Sequence, residues 1–267
     1  LPSFLLHVGV SPYNKSPLPL ANPCFGGNNS FIFVPWCTGT DADRAPNQIE
    51  YRYLTHPTGV REFLQLHPEF GNRAIDFKTQ NNPDFVKYTF SEWLRIQGPD
   101  KVDRGAARTA RLFPKMQIGS KVYFAASFMK IKDIPSIQEF VTAPEKYKES
   151  IKTCFSKHSY SHSLSGFIGV FANLTIEEKI GTDEYLKLDS DANRKSSSNW
   201  NTLCSRDVLI KGSANGSRCW DKVVPIGIGN YPIDEFKALF SEGRIVKWSG
   251  WFDEEAAGLL DRFLGVS

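Results

Sequence analysis

An α+β fold, with a mixed or antiparallel sheet, helices packed on one side and an irregular N-terminal arm, is what this sequence predicts. Three observations carry that expectation. Apolar residues alternate over residues 121–132, a helix–strand–helix succession fills residues 232–264, and residues 1–30 are rich in Pro, Asn and Gly with no sustained period. Residues 1–30 therefore read as the arm, opening with a short strand at residues 4–10, and residues 31–267 as a single α+β domain. A chain of 267 residues is long enough to bury a substantial core without help from metal or disulfides.

From Ser30 the pattern turns to β: Phe31, Phe33 and Pro35 alternate with Ile32, Val34 and Trp36, and residues 50–54 form a second candidate strand. Residues 60–66 suit a helix or a strand, and residues 85–96 are aromatic without a deciding period. The strand over residues 121–132 centres on Val122, Phe124, Ala126 and Phe128. A helix over residues 136–141 places Ile137, Phe140 and Val141 on one side. Thr142 and Glu145 then have capping-box spacing, with Pro144 tolerated in the first turn of the helix they open. Its apolar face is Tyr147, Ile151, Cys154 and Phe155, a stripe on which Cys154 reads as a buried small hydrophobe rather than a nucleophile.

Residues 179–216 are polar and read as a long loop leading to the last two cysteines. Beyond them, residues 232–240 suit a helix stopped at Gly243 and residues 244–251 a strand. The final helix, residues 253–264, is capped by Asp253 and ended by Gly265. A strand then helix after residue 121, and a helix then strand near the end, suit ferredoxin-like pieces.

Twenty Phe, nine Tyr and six Trp make the chain 13% aromatic, which supplies large, stiff surfaces for a core, a stacking site or an interface. The net charge of +3, from 32 basic and 29 acidic residues, is too small to imply nucleic acid by itself. Apolar runs fall well short of the roughly 18 residues of a membrane span, so no transmembrane segment is expected. Leu1 in place of methionine fits a processed chain as well as a trimmed one.

Five cysteines fall as two local pairs and a remainder. Cys24 with Cys37, and Cys204 with Cys219, are the disulfide candidates, each stapling a short loop, and Cys154 is left over. Glycosylation sequons stand at Asn28, Asn173 and Asn215, with a poorer one at Asn14, where Pro17 follows the serine. Loop cysteines and sequons together point to a secreted glycoprotein or one of an organelle lumen.

The most specific charge pattern is Lys101, Arg104, Arg108, Arg111 and Lys115, whose spacings of three and four place all five on one stripe of a helix. Such a stripe matches phosphates or an acidic partner surface. The competing reading is a solvated helix face, partly neutralised by Asp100 and Asp103, with Gly105 weakening the helix and Pro114 ending it before Lys115. Asp41 with Asp43, and Asp189, Asp191 and Asn193, alternate like ligands of a hard cation, but Arg194 and Trp200 occupy the glycine and bidentate-glutamate positions of a calcium loop. His158 and His162 lie four apart in a serine-rich polar stretch that reads as a loop rather than a metal site. The sequence contains no Gly-x-Ser-x-Gly, Cys-x-x-Cys, Walker or complete Gly-x-Gly-x-x-Gly motif, and Gly227 with Gly229 is a fragment only. No motif designates catalytic residues or a cofactor.

The function expected is therefore that of a non-enzymatic structural or interaction protein, a subunit of a larger coat, shell or linker assembly. Its partners would be other protein chains, like or unlike, and a nucleic acid or acidic surface reached through the basic stripe. The alternative is a secreted carbohydrate-active hydrolase or transferase, motivated by the aromatic residues, the sequons and the loop cysteines. That reading requires two facing carboxylates flanked by Trp36, Trp93, Trp200, Trp220, Trp248 or Trp251.

Overall fold

The structure, a computed structural model, describes residues 1–8, 21–26, 29–34, 48–50, 59–80, 88–92, 115–155, 166–180, 208–213, 223–225, 249–252 and 254–264. Its centre is β7 (Lys121–Ile131), the strand expected from the alternation at Val122, Phe124, Ala126 and Phe128. The intervening Tyr123, Ala125 and Met129 are buried as well, so both faces of this strand are covered, as they must be in the middle of a sheet.

One edge of β7 is shared end to end by two short parallel strands. Strand β1 (Ser3–His7) pairs Phe4 with Val122 and His7 with Ala125, and β2 (Asn22–Phe25) pairs Asn22 with Phe128 and Phe25 with Ile131. The other edge takes β8 (Gly166–Ile180), antiparallel from Lys121 opposite Thr175 to Met129 opposite Gly166. Beyond β8 lie β9 (Val208–Ser213) and the short β10 (Val224–Pro225), both antiparallel to it. Strand β6 (Thr89–Glu92) closes one end on β9, and β11 (Ser249–Phe252) the other on β1, for the order β11-β1-β7-β8-β9-β6. Strand β3 (Ser30–Phe31) pairs with β2, and β4 (Gln48–Glu50) and β5 (Lys78–Gln80) form a separate antiparallel pair. The result is an open mixed sheet with few helices, α+β in class.

Several expectations change in detail. Within the stretch expected to be an irregular arm, Asn22–Phe25 is a sheet strand in addition to Ser3–His7, and Phe4, Leu6, Cys24 and Phe25 are all buried. Buried Asn22 explains how a Pro- and Asn-containing segment is held there: its amide donates to Ser127 O (2.9 Å) and accepts from Val34 N (2.7 Å). The expected polar loop over residues 179–216 contains β9, which the register with β8 holds in the sheet. The side-chain N-cap lies six residues earlier than expected, and the Glu139 carboxylate accepts from Tyr147 Oη (3.0 Å). Ser136 caps α2 (Ile137–Thr142) by accepting from Glu139 N, while Thr142 donates its hydroxyl back to Gln138 O (2.8 Å) and opens no helix. A 3-10 turn (Pro144–Tyr147) and α3 (Lys148–Lys152) follow, then a 3-10 turn at Thr153–Phe155. The ambiguous residues 60–66 resolve as α1 (Val60–Gln65), followed by a 3-10 turn (Gly71–Asp76), and the final helix is α4 (Glu254–Leu264). Its expected caps, Asp253 and Gly265, lie outside the described residues, as does the expected helix over residues 232–240.

Two apolar clusters hold these elements. Residues 31–34 feed them alternately: Phe31 and Phe33 join Phe4, Phe124, Phe128, Phe167 and Phe171, while Ile32 and Val34 join Phe25, Phe63, Met129, Phe140 and Ile151. That is the period-two pattern of an extended segment buried on both sides. A register shift opposite Phe124 and Ala125 makes Phe171 the extra residue of β8, so Phe171 and Ala172 both enter the first cluster. There Phe171 stacks on Phe33 (4.4 Å between centroids) and meets the edges of Phe31 and Phe128. Each such ring contributes about 2–3 kcal/mol by leaving water.

Candidate functional site

Of the basic stripe, Lys115 is described and is exposed, two residues from the turn that enters β7, whereas Lys101, Arg104, Arg108 and Arg111 lie outside the described residues. Cys37, Cys204, Cys219, Asn28 and Asn215 lie outside them too, with both acidic pairs and with His158 and His162. Among the described residues no group of three or more His, Cys, Asp or Glu is arranged to hold a metal ion.

The two described cysteines occupy the core. Cys24 is a buried thiol whose Sγ donates weakly to Asn29 Oδ1 (3.9 Å), and burial pushes its pKa up to about 12, against a smaller downward pull from Lys130. Cys154 is likewise a buried thiol, its pKa raised by burial and by the nearby Cys24, so neither supplies a thiolate at neutral pH. The stripe on which Cys154 was expected is buried throughout: Tyr147, Ile151, Cys154 and Phe155. Asn173, one of the glycosylation candidates, is 1% exposed in the middle of β8, and its amide donates to Asp261 Oδ1 (3.3 Å). The folded chain thus does not present this sequon to solvent, and a glycan has no room on it.

The bond from Asn173 belongs to a polar cluster around Asp261. Asp261, on α4, reaches the sheet where β7 and β8 lie side by side. One carboxylate oxygen accepts from Tyr123 Oη (2.6 Å) and from Asn173, and the other pairs with Lys121 Nζ. The same Tyr123 hydroxyl lies 3.1 Å from Ala257 O, one turn back along the helix, so its one proton is shared unequally between the two acceptors. The Asp261 side chain is 14% exposed and that of Lys121 36%, so the ion pair stands at the rim of the cluster and the hydroxyl and amide bonds inside it. Ala257, Leu260 and Leu264 are buried on the same helix, so Asp261 is a carboxylate set into an apolar stripe. This position was the available sequence signal: an aspartate four residues after Ala257 and three before Leu264.

A second group surrounds Asn29, which lies between β2 and β3 at a positive φ of 57°. Lys130 Nζ donates to its Oδ1 (2.6 Å) and to Phe25 O (3.5 Å), while Asn29 O accepts from Val223 N (3.0 Å). The third is His67, buried at the end of α1. Its Nδ1 accepts from the backbone N–H of Glu69 (3.2 Å) and of Phe70 (3.3 Å), and its ring packs on Phe70 and Phe155. Neither group was singled out in the sequence, where a lone histidine before proline carries no pattern. No protein-family model, curated protein or solved structure matches this chain.

Proposed function

We propose that the chain is a non-enzymatic structural or interaction protein that works as a subunit of a larger assembly of coat, shell or linker type. The observation that supports this reading is the use made of four reactive groups among the described residues. The half-buried carboxylate of Asp261 clamps a helix, the thiols of Cys24 and Cys154 stay protonated in the core, and His67 caps a turn through its lone pair. Each is committed to the fold rather than left facing a substrate.

The fold expectation extends in the same way. Tyr123, Met129 and Ile131 share one face of β7 by parity; the first meets α4, and the other two join the cluster that includes α1, α2 and α3. This favours helices on a single side of the sheet, with ferredoxin-like pieces. The secretory reading rests on Asn28, Asn215, Cys204 and Cys219, now that Cys24 and Asn173 have packing roles. Lys101, Arg104, Arg108, Arg111 and Lys115 remain the proposed contact for a nucleic acid or acidic surface.

Light scattering at physiological salt tests the assembly directly. A specific oligomer or complex is expected, and a monodisperse monomer across the micromolar range overturns the proposal. For the stripe, binding of a labelled oligonucleotide is measured against salt. The Arg104→Glu/Arg108→Glu double variant is expected to abolish binding and flatten its salt dependence, and unchanged binding removes the stripe from the reading.

A further inference from the structure

We propose that His67 is an acid-sensitive catch: protonation of its ring releases the α1 hairpin, residues 59–77, from the Thr153–Phe155 turn and uncovers the apolar surface between them. Because Nδ1 accepts two backbone N–H groups, from Glu69 and Phe70, the neutral ring carries its proton on Nε2. That Nε2 is buried and has no hydrogen-bond partner. An imidazolium carries a proton on both nitrogens, so charging the ring turns Nδ1 from acceptor to donor and sets an N–H against two others. It also places a cation with no acceptor at Nε2 between Phe70 (4.7 Å) and Phe155 (4.6 Å). The folded hairpin therefore accommodates only the neutral ring.

The neighbours do not offset this. Among the described residues the charge that bears on the ring is the Glu69 carboxylate, whose upward pull is smaller than the downward effect of burial, and the balance lowers the pKa from 6.5 to about 4. On the packed turn the titratable group is Cys154, which burial keeps protonated. The remaining charges on the hairpin and on α3, Arg61, Glu62, Arg73, Asp76, Lys148, Glu149 and Lys152, lie at exposed or half-exposed positions.

The hairpin also has the form of a unit that opens as one. It begins at Gly59, at a φ of 105°, packs Phe63 on Phe155 (4.8 Å) and Phe70 on Phe77 (5.1 Å), and ends where β5 begins. Opening it bares Phe63, Leu64 and Phe155. The sign follows from linkage. The neutral ring's contribution is complete above pH 6.5 and is lost as pH falls from 6.5 towards 4, because over that range the open hairpin binds the proton and the closed one does not. The opening equilibrium is expected to rise about thirty-fold between pH 7.5 and pH 5. A chain carried from a neutral to an acid compartment would present a new apolar face there.

Hydrogen exchange of residues 59–77 between pH 7.5 and 4.5, corrected for the intrinsic pH dependence of exchange, reads the catch. His67→Asn is the control, since its side-chain oxygen reaches the same two amides and does not titrate. Loss of protection in the wild type with a flat profile in His67→Asn supports the proposal, and parallel loss in both overturns it. If His67→Asn does not fold, nitrogen NMR of the wild-type ring decides: an Nε2–H tautomer persisting to pH 5 supports the catch, and titration near 6.5 overturns it.

Discussion

Replacing Asp261 by alanine should loosen the C-terminal helix from the sheet. The substitution removes a 2.6 Å bond from Tyr123, a 3.3 Å bond from Asn173 and the ion pair with Lys121. Bonds to a charged acceptor contribute about 1.5–3 kcal/mol each, the longer one at the low end, while the rim ion pair adds at most about 1 kcal/mol because Lys121 is partly in water. Tyr123 keeps its bond to Ala257 O, which limits the loss. The expected cost is about 3–4 kcal/mol, or a fall of roughly 6–16 °C in Tm for a domain of this size. Tyr123→Phe should cost about 1–2 kcal/mol, and Lys121→Ala less than about 1 kcal/mol. Thermal unfolding followed by circular dichroism, with hydrogen exchange over residues 254–264, measures the series. An equal cost for Lys121→Ala and Asp261→Ala, or a fall in Tm of less than about 2 °C for Asp261→Ala, would rule out Asp261 as the clamp.

Three further outcomes follow from the geometry. Iodoacetamide at pH 7.5 should leave Cys24 and Cys154 unmodified in the native chain and label both in denaturant, as peptide mass spectrometry will read; native labelling at either position contradicts its burial. Gly26→Ala should cost more than about 2 kcal/mol in urea unfolding, since Gly26 has a φ of 56° and its added Cβ would fall on the Pro135 carbonyl oxygen. Expressed through a secretory pathway, the chain should carry no glycan at Asn173, and a glycopeptide mapped to that residue in folded material would contradict its place in β8.

How much of this was legible in the sequence depends on the range over which each feature is decided. Strand β7 and helix α4 are readable because their patterns, period two around Val122 to Phe128 and 3.6 around Ala257 to Leu264, are properties of consecutive residues. The burial of Cys154 follows from the same local stripe. Strand β9, by contrast, is short and embedded in a longer polar stretch, so its Val208, Leu209 and Ile210 are decisive only once β8 offers a register, with Ile176 opposite Gly212. The N-cap shows how two nearby options compete: Ser136 with Glu139 and Thr142 with Glu145 have the same spacing, and Ala143, at φ −143° and ψ 62°, ends the helix between them.

The sequence by itself determined the α+β class, the central strand and the last helix, since hydrophobic periodicity dictates which faces must leave water. Tertiary structure alone decided what the polar residues do. Lys121 and Asp261 lie 140 positions apart, and Tyr123 and Asn173 meet Asp261 only after β7, β8 and α4 have packed. A sequon, a lone aspartate or a lone histidine has the same local chemistry whether exposed or buried. Only packing decides whether it faces water, and with it whether Asn173 can carry a glycan, whether Asp261 is a clamp, and whether His67 can accept a proton.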